Sequence, residues 1–348
     1  MKVLVTGANG FIGSHLCRAL ILRGYQVRAL VRATSAVRSL EKLELELIHG
    51  DILQPQTLAP ACQGCEMIFH VAAVFAYWGH SAEELNTIAQ QGTINILQAA
   101  HQAGVPKIIL TSSSIVCGSS PRPVALNENH SPHDIAGLPP YVAAKIAQEK
   151  SAWELAQKLK LDLIAVCPTL TVGGPDFGLT ESNRMLAGYL KDPWKATWLG
   201  GCNLVSVADV AQGHILAAEK GAPGERYILG GENLEWREVH QMISELCGLP
   251  GPLLTANHTS SYLAATVYEI ASFFTGASPP STRAQSKMVG QYYWYNSGKI
   301  ASMGYAPRPA RQALAEALSW LVTSTHISAS LRAEMNLSPE IHALRRHD

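Results

Sequence analysis

The sequence predicts an α/β fold, a doubly wound parallel sheet with a smaller C-terminal lobe. Two observations carry this prediction. Up to about residue 170, short β-branched runs alternate with longer segments whose apolar residues recur at three- and four-residue spacing. A glycine-rich turn, "TGANGFIG", lies between the first such run and the first such segment. Parallel neighbours need a crossover element to bring the chain back, so this alternation is the rhythm of a sheet wrapped by helices.

In chain order, the strands are expected at "KVLVT", "QVRALV", "LELIHG", "MIFHVA", "KIILTS" and "DLIAVC". Segments 11–23, 82–103 and 141–159 carry the helical periodicity between them. After "CPTLTVGGPDFG" the pattern becomes irregular, with Pro and Gly punctuation. These features divide the chain into a nucleotide-binding part at 1–170, a mainly substrate-binding lobe at 171–325 with segments returning to the first part, and a tail at 326–348. The most apolar stretch of the second half, "SYLAATVYEIASFFTG" (261–276), contains Glu269 and is too short to span a bilayer. A core or pocket-covering helix is expected there, the alternative being a helix that gates an apolar substrate or rests on a membrane surface.

With 348 residues, 47% of them hydrophobic, the chain can bury a sizeable core. Its 27 basic side chains balance its 27 acidic ones, so no overall field favours nucleic acid or an anionic membrane. A strand-like run from the second residue leaves no room for a signal peptide, which makes a cytoplasmic protein the expectation. The seven cysteines are scattered, and most are expected to be buried thiols. Cys62 and Cys65 alone form a C-x-x-C pair, without the partners of a zinc site.

Gly7, Gly10 and Gly13 follow the first strand and open a helix. Such a turn brings backbone N–H groups close to a pyrophosphate, which the helix N-terminus then stabilises. A dinucleotide cofactor is expected, held in a Rossmann-type sheet. The end of the second strand decides between NAD and NADP, an acid pairing with the ribose 2′-OH and an arginine with a 2′-phosphate. Here that strand ends in Arg32, with Arg38 shortly after and no acid until Glu41. NADP(H) is therefore favoured over NAD(H). Asp51, after the third strand, is a candidate for the adenine edge, with Ile52 beside it.

Tyr141 and Lys145 in "YVAAK" lie one helical turn apart, so a phenol and an ammonium can converge on one small volume. A nearby cation favours the phenolate of a group whose ordinary pKa is about 10. Tyr141 could then exchange a proton with a carbonyl or hydroxyl oxygen as hydride moves. The preceding strand ends in "TSSS", which offers a hydroxyl donor for that oxygen.

Together "TGANGFIG", "TSSSIVCG" and "YVAAK" resemble the extended short-chain dehydrogenases/reductases, from residue 1 to about 320. The resemblance implies Ser113 as the catalytic serine, with Ser114 the fallback, Tyr141 as the acid/base, and Lys145 holding the nicotinamide ribose and tuning Tyr141. It implies that Phe11 and Ile12 join the glycine turn, that Ala72 and Ala73 pass under the cofactor, and that Pro168 lies beside the nicotinamide. A homodimer is its further implication. Within the family, "FHVAAVFAYWG" and "VCPTLTVGGPDFG" are similar to dihydroflavonol reductases, 3β-hydroxysteroid dehydrogenases and hopanoid-associated sugar epimerase-like proteins. Two departures stand out. Cys167 and Pro168 replace the asparagine of many nucleotide-sugar enzymes, and Ala89 stands at the asparagine of the N-V-x-G-T pattern, although Gly92 and Thr93 are kept.

Tyr77 and Trp78 follow the fourth strand on the loop expected to face the substrate, where aromatic groups suit a flat ligand. Trp194 and Trp198 could serve the ligand or merely pack the lobe. The leading reading is a reductase or dehydrogenase of a hydrophobic, polycyclic-sized small molecule, with Trp78, Ser113 and Tyr141 touching the substrate. The alternative is a nucleotide-sugar epimerase or dehydratase with a tightly held cofactor. A cofactor-sensing protein without catalysis is the third, and the intact Ser/Tyr/Lys set argues against it.

Overall fold

The computed structural model describes residues 1–73, 79, 81–132, 137–276 and 279–345. All six predicted strands form, as β1 (Lys2–Thr6), β2 (Gln26–Val31), β3 (Glu46–His49), β4 (Met67–His70), β5 (Lys107–Thr111) and β6 (Asp162–Pro168). Shorter strands follow: β7 (Leu170–Val172), β8 (Ala196–Trp198), β9 (Gly201–Ser206), β10 (Arg226–Leu229), β11 (Glu232–Glu235), β12 (Leu254–Ala256) and β13 (Tyr292–Tyr293). The helices used below are α1 (Phe11–Leu22), α2 (Leu58–Cys62), α3 (Ala82–Gln102), α4 (Pro140–Leu159), α5 (Glu181–Lys191), α6 (Val207–Lys220), α7 (Trp236–Cys247) and α8 (His258–Thr275).

Seven strands make one parallel sheet in the order β10-β6-β5-β4-β1-β2-β3. The chain runs outward from β1 to β3, then returns to the other side of β1 with β4. A crevice therefore opens past the C-terminal ends of β1 and β4, where doubly wound sheets bind their ligands. Both faces of the sheet are covered: Val3 and Val5 of β1 pack with α1 and α6, and Leu4 between them packs with α3 on the opposite face. Burial on two faces explains why these strands read as continuous apolar runs.

The lobe is built on a second sheet, in which β9 lies between β11 and β13 and also pairs with β7. Helices α5 and α7 enclose its core, to which Leu186, Leu190, Val239 and Ile243 contribute. The strand β10 and helix α6, although past residue 171, belong to the main sheet and its covering layer. The tail is not loose: Ile341 is fully buried against the lobe, and Asn336 donates its N–H to the Cys247 carbonyl.

Helix α8 corrects an expectation. It buries only Ala265 and Ser272, and its bulky residues face outward, Phe273 being 84% and Leu263 62% exposed. It is thus not a core helix, and none of its residues lines the main cavity. Among the described residues no helix is long and apolar enough to cross a membrane.

Candidate active site

A cavity occupies the crevice, and the glycine turn lines it. Gly7 has φ +63°, and a Cβ there would meet the Ala72 backbone at 2.7 Å. At Gly13 a Cβ would run into the Gly7 carbonyl oxygen, which is why the helix can start so close to β1. The Gly10 N–H donates to that same carbonyl at 3.0 Å and closes the turn. The cradle is open only because side chains are absent, and the first turn of α1, where a helix leaves N–H groups without intrahelical partners, lines it. A dinucleotide fits these residues.

Most predicted cofactor residues meet here. Gly7, Gly10, Phe11, Ile12 and Gly13, then Arg32 at the end of β2, Asp51 and Ile52 past β3, Ala72 and Ala73 past β4, and Pro168 of β6 all line the cavity. Arg38 does not. Its guanidinium carbon sits 5.2 Å from the centre of the Phe177 ring, in a cation–π contact.

The predicted catalytic residues Ser113, Tyr141 and Lys145 line the same cavity. Pro140 opens α4 at a position where its missing N–H costs nothing, and the first two turns carry Tyr141 and, one turn on, Lys145. The three serines after β5 diverge. Ser112 donates to Glu149, Ser113 hydrogen-bonds Tyr141, and Ser114, which opens a 3₁₀ turn, hydrogen-bonds Tyr295. The extended backbone of Ser113 separates its side chain from those on either side, and this geometry favours Ser113 over Ser114 as the partner of Tyr141.

Electrostatics differ from the simple phenolate picture. Burial pushes Tyr141 up to about 12, only partly offset by the Ser113 hydrogen bond. Burial also lowers Lys145 to about 8. The Lys145 ammonium is committed to the Thr111 carbonyl at 3.1 Å and the Gln148 amide oxygen at 2.9 Å. Tyr141 is therefore a protonated phenol near neutrality, suited to donating a proton to a reducing carbonyl oxygen.

Toward the lobe the lining mixes apolar and aromatic side chains, such as Ile115, Trp236, Met288 and Tyr293, with the uncharged polar Thr171, Thr180, Ser182 and Asn203. Among the described lining residues the only formal charges belong to Arg32, Asp51 and Lys145. Sequence reasoning missed Trp236 because the lobe has no periodicity to announce it. Its neighbour Trp198 supports it edge-on at 5.3 Å and packs the lobe, and Trp194 is exposed. Tyr77 and Trp78 lie outside the described residues. The seven cysteines are buried and free, Cys62 and Cys65 included, and no cluster of metal-ligating side chains occurs among the described residues.

Residues 3–230 match the model of the NAD dependent epimerase/dehydratase family. The chain belongs to that family. The "Putative dihydroflavonol 4-reductase" of Synechocystis sp. is 34% identical over 91% of this chain and 93% of its own length. Sterol demethylase protein B of Methylococcus capsulatus is 30% identical over 92% of this chain and 98% of its own. The crystal structure of gox2253 superposes with a TM-score of 0.82 at 35% identity, covering 94% of this chain and 99% of that one. UDP-glucuronic acid 4-epimerase from Bacillus cereus, at 22% identity and a TM-score of 0.73, shares the family fold. The chain is thus an NAD(P)-dependent oxidoreductase of the extended short-chain dehydrogenase/reductase type.

Proposed function

We propose that the protein is an NADP(H)-dependent reductase of a ketone on a hydrophobic, polycyclic-sized small molecule, and oxidises the corresponding alcohol in reverse. The observation that carries this reading is the far half of the cavity. It offers aromatic and apolar surface beside the neutral Thr171, Thr180, Ser182 and Asn203 and, past Lys145, no cation among the described lining residues to hold a sugar nucleotide's pyrophosphate. The reductase name of the Synechocystis relative agrees with it.

In this reading the glycine turn and α1 hold the pyrophosphate, Arg32 takes the 2′-phosphate, Asp51 faces the adenine end, and Ala72, Ala73 and Pro168 bound the nicotinamide path. The hydride comes from the reduced nicotinamide when the cofactor is bound. Ser113 hydrogen-bonds the substrate oxygen, Tyr141 delivers the proton to it, and Lys145 holds the nicotinamide ribose. Trp236 and Tyr293 form the walls against which a flat substrate packs.

The test is absorbance at the nicotinamide band with a panel of polycyclic ketones and nucleotide sugars. Oxidation of NADPH by the ketones is expected. A rearranged sugar with no net oxidation would move the protein to the epimerases and overturn the reading. For the cofactor, Arg32→Ala should weaken NADPH binding by about 10- to 100-fold, the worth of a charged hydrogen bond, and leave NADH binding unchanged. Fluorescence titration with both nucleotides checks this, and equal losses for both would sink the assignment of Arg32. A homodimer is expected by light scattering.

A further inference from the structure

We propose that Gln148 is a positioning residue that fixes the Lys145 ammonium for the nicotinamide ribose; this rests on the cofactor role proposed for Lys145. Gln148 lies one turn after Lys145 on α4, is 1% exposed, and uses both ends of its amide. Its oxygen accepts from Lys145 Nζ at 2.9 Å, and its NH₂ donates to Thr93 Oγ1 at 2.8 Å.

The rest of the connection follows from donor counting. The Thr93 hydroxyl gives its one proton to the Ala89 carbonyl at 2.7 Å, so its lone pairs accept, from Gln148 and from His70 Nε2 at 3.0 Å. Burial pushes His70 down to about 3, so the neutral ring has one proton to place, and it must be on Nε2. His70 Nδ1 then accepts from Thr6 Oγ1 at 2.8 Å, and Thr6 in turn accepts the Ala72 N–H at 3.2 Å. An unbroken chain, buried from Thr6 onward, thus runs from the backbone at Ala72, in the cavity wall, to the ammonium of Lys145. It crosses α3 beside Ala89, where the resembling family carries an asparagine.

An ammonium has three N–H donors. Thr111 and Gln148 take two from the interior side, which leaves the third for the cavity that Lys145 lines. The other titratable groups around Lys145 are Tyr141 and Glu149 on α4, His70 on β4 and Cys167 on β6, and Glu149 is itself paired with Arg226 of β10 at 2.9 Å. Tyr141, His70 and Cys167 are neutral, because burial disfavours their charged forms. Gln148 is therefore the side chain that supports the cation directly, through a hydrogen bond, while Glu149 acts on it only through space.

The test uses full-length wild type, Gln148→Ala, Gln148→Glu and Lys145→Met, with NADPH and NADH binding followed by fluorescence between pH 6 and 10, and melting temperature alongside. Wild-type binding should weaken as pH rises through the titration of Lys145. Gln148→Ala should bind about 10-fold more weakly at neutral pH, because a hydrogen bond to a charged group is lost, and its inflection should move to lower pH. Gln148→Glu should recover most of the affinity and move the inflection upward, since a carboxylate favours the ammonium. A purely structural role would lower the melting temperatures without shifting either inflection, and would overturn the proposal. So would Gln148→Ala superposing on wild type while Lys145→Met fails to bind. If Lys145→Met binds as wild type does, the role of Lys145 falls instead, and the proposal falls with it.

Discussion

Replacing Tyr141 with Phe is expected to abolish ketone reduction, by about 10²- to 10⁴-fold in kcat, with NADPH binding retained. The substitution removes one oxygen from a buried ring and leaves its packing against Leu85, Ile115 and Val142 intact. What is lost is the proton source at the carbonyl. Because burial holds Tyr141 near 12, the wild-type phenol stays protonated across neutral and mildly alkaline pH. The group that titrates first is Lys145, lowered to about 8, so reduction should decline as pH rises through that region and its ammonium is lost. Steady-state rates from pH 6 to 10 check the sign. A rate that rises over this interval would contradict a protonated Tyr141 acting beside a charged Lys145.

Gly13→Ala is the second large effect expected, this time on cofactor binding and stability together. The new methyl would meet the Gly7 carbonyl and the Ala8 Cα, both backbone, so no flexible side chain can give way. The turn must open, which misplaces the N–H groups of α1. Overpacking of this kind costs about 1–3 kcal/mol, and the melting temperature should fall by several degrees while NADPH binding is lost. Gly188→Ala is the control. Gly188 is an exposed helical glycine on α5 with nothing within 4 Å of its would-be Cβ, and the same substitution there should stabilise by roughly 0.5–1 kcal/mol. Calorimetry and nucleotide titration of the two variants separate a steric clash from a general effect of losing glycine.

The two substitutions fall on features that the sequence announces by different means. The glycine turn is written in residue types and spacing, because only glycine tolerates the backbone approach it makes. The Tyr141/Lys145 pair is written in helical periodicity. Arg32 is legible because its place at the end of β2 follows from the strand pattern. Arg38, six residues on, was expected beside it, yet its contact with Phe177 joins positions far apart in the chain. Helix α8 shows the same limit: its apolar content is plain from composition, but only packing reveals that the small residues Ala265 and Ser272 are the ones that face inward.

By itself the sequence determined the six strands, the three helices between them, the glycine turn and the Tyr/Lys pair, because each follows from steric or periodic demands within a few residues. The tertiary structure decided which serine meets Tyr141, that Trp236 reaches the cavity, and how Lys145 is held. Those outcomes depend on pairings across long separations, such as Gln148 with Thr93 and His70 with Thr6. Local pattern sets which face of an element is buried; packing and hydrogen-bond satisfaction choose the partner it is buried against.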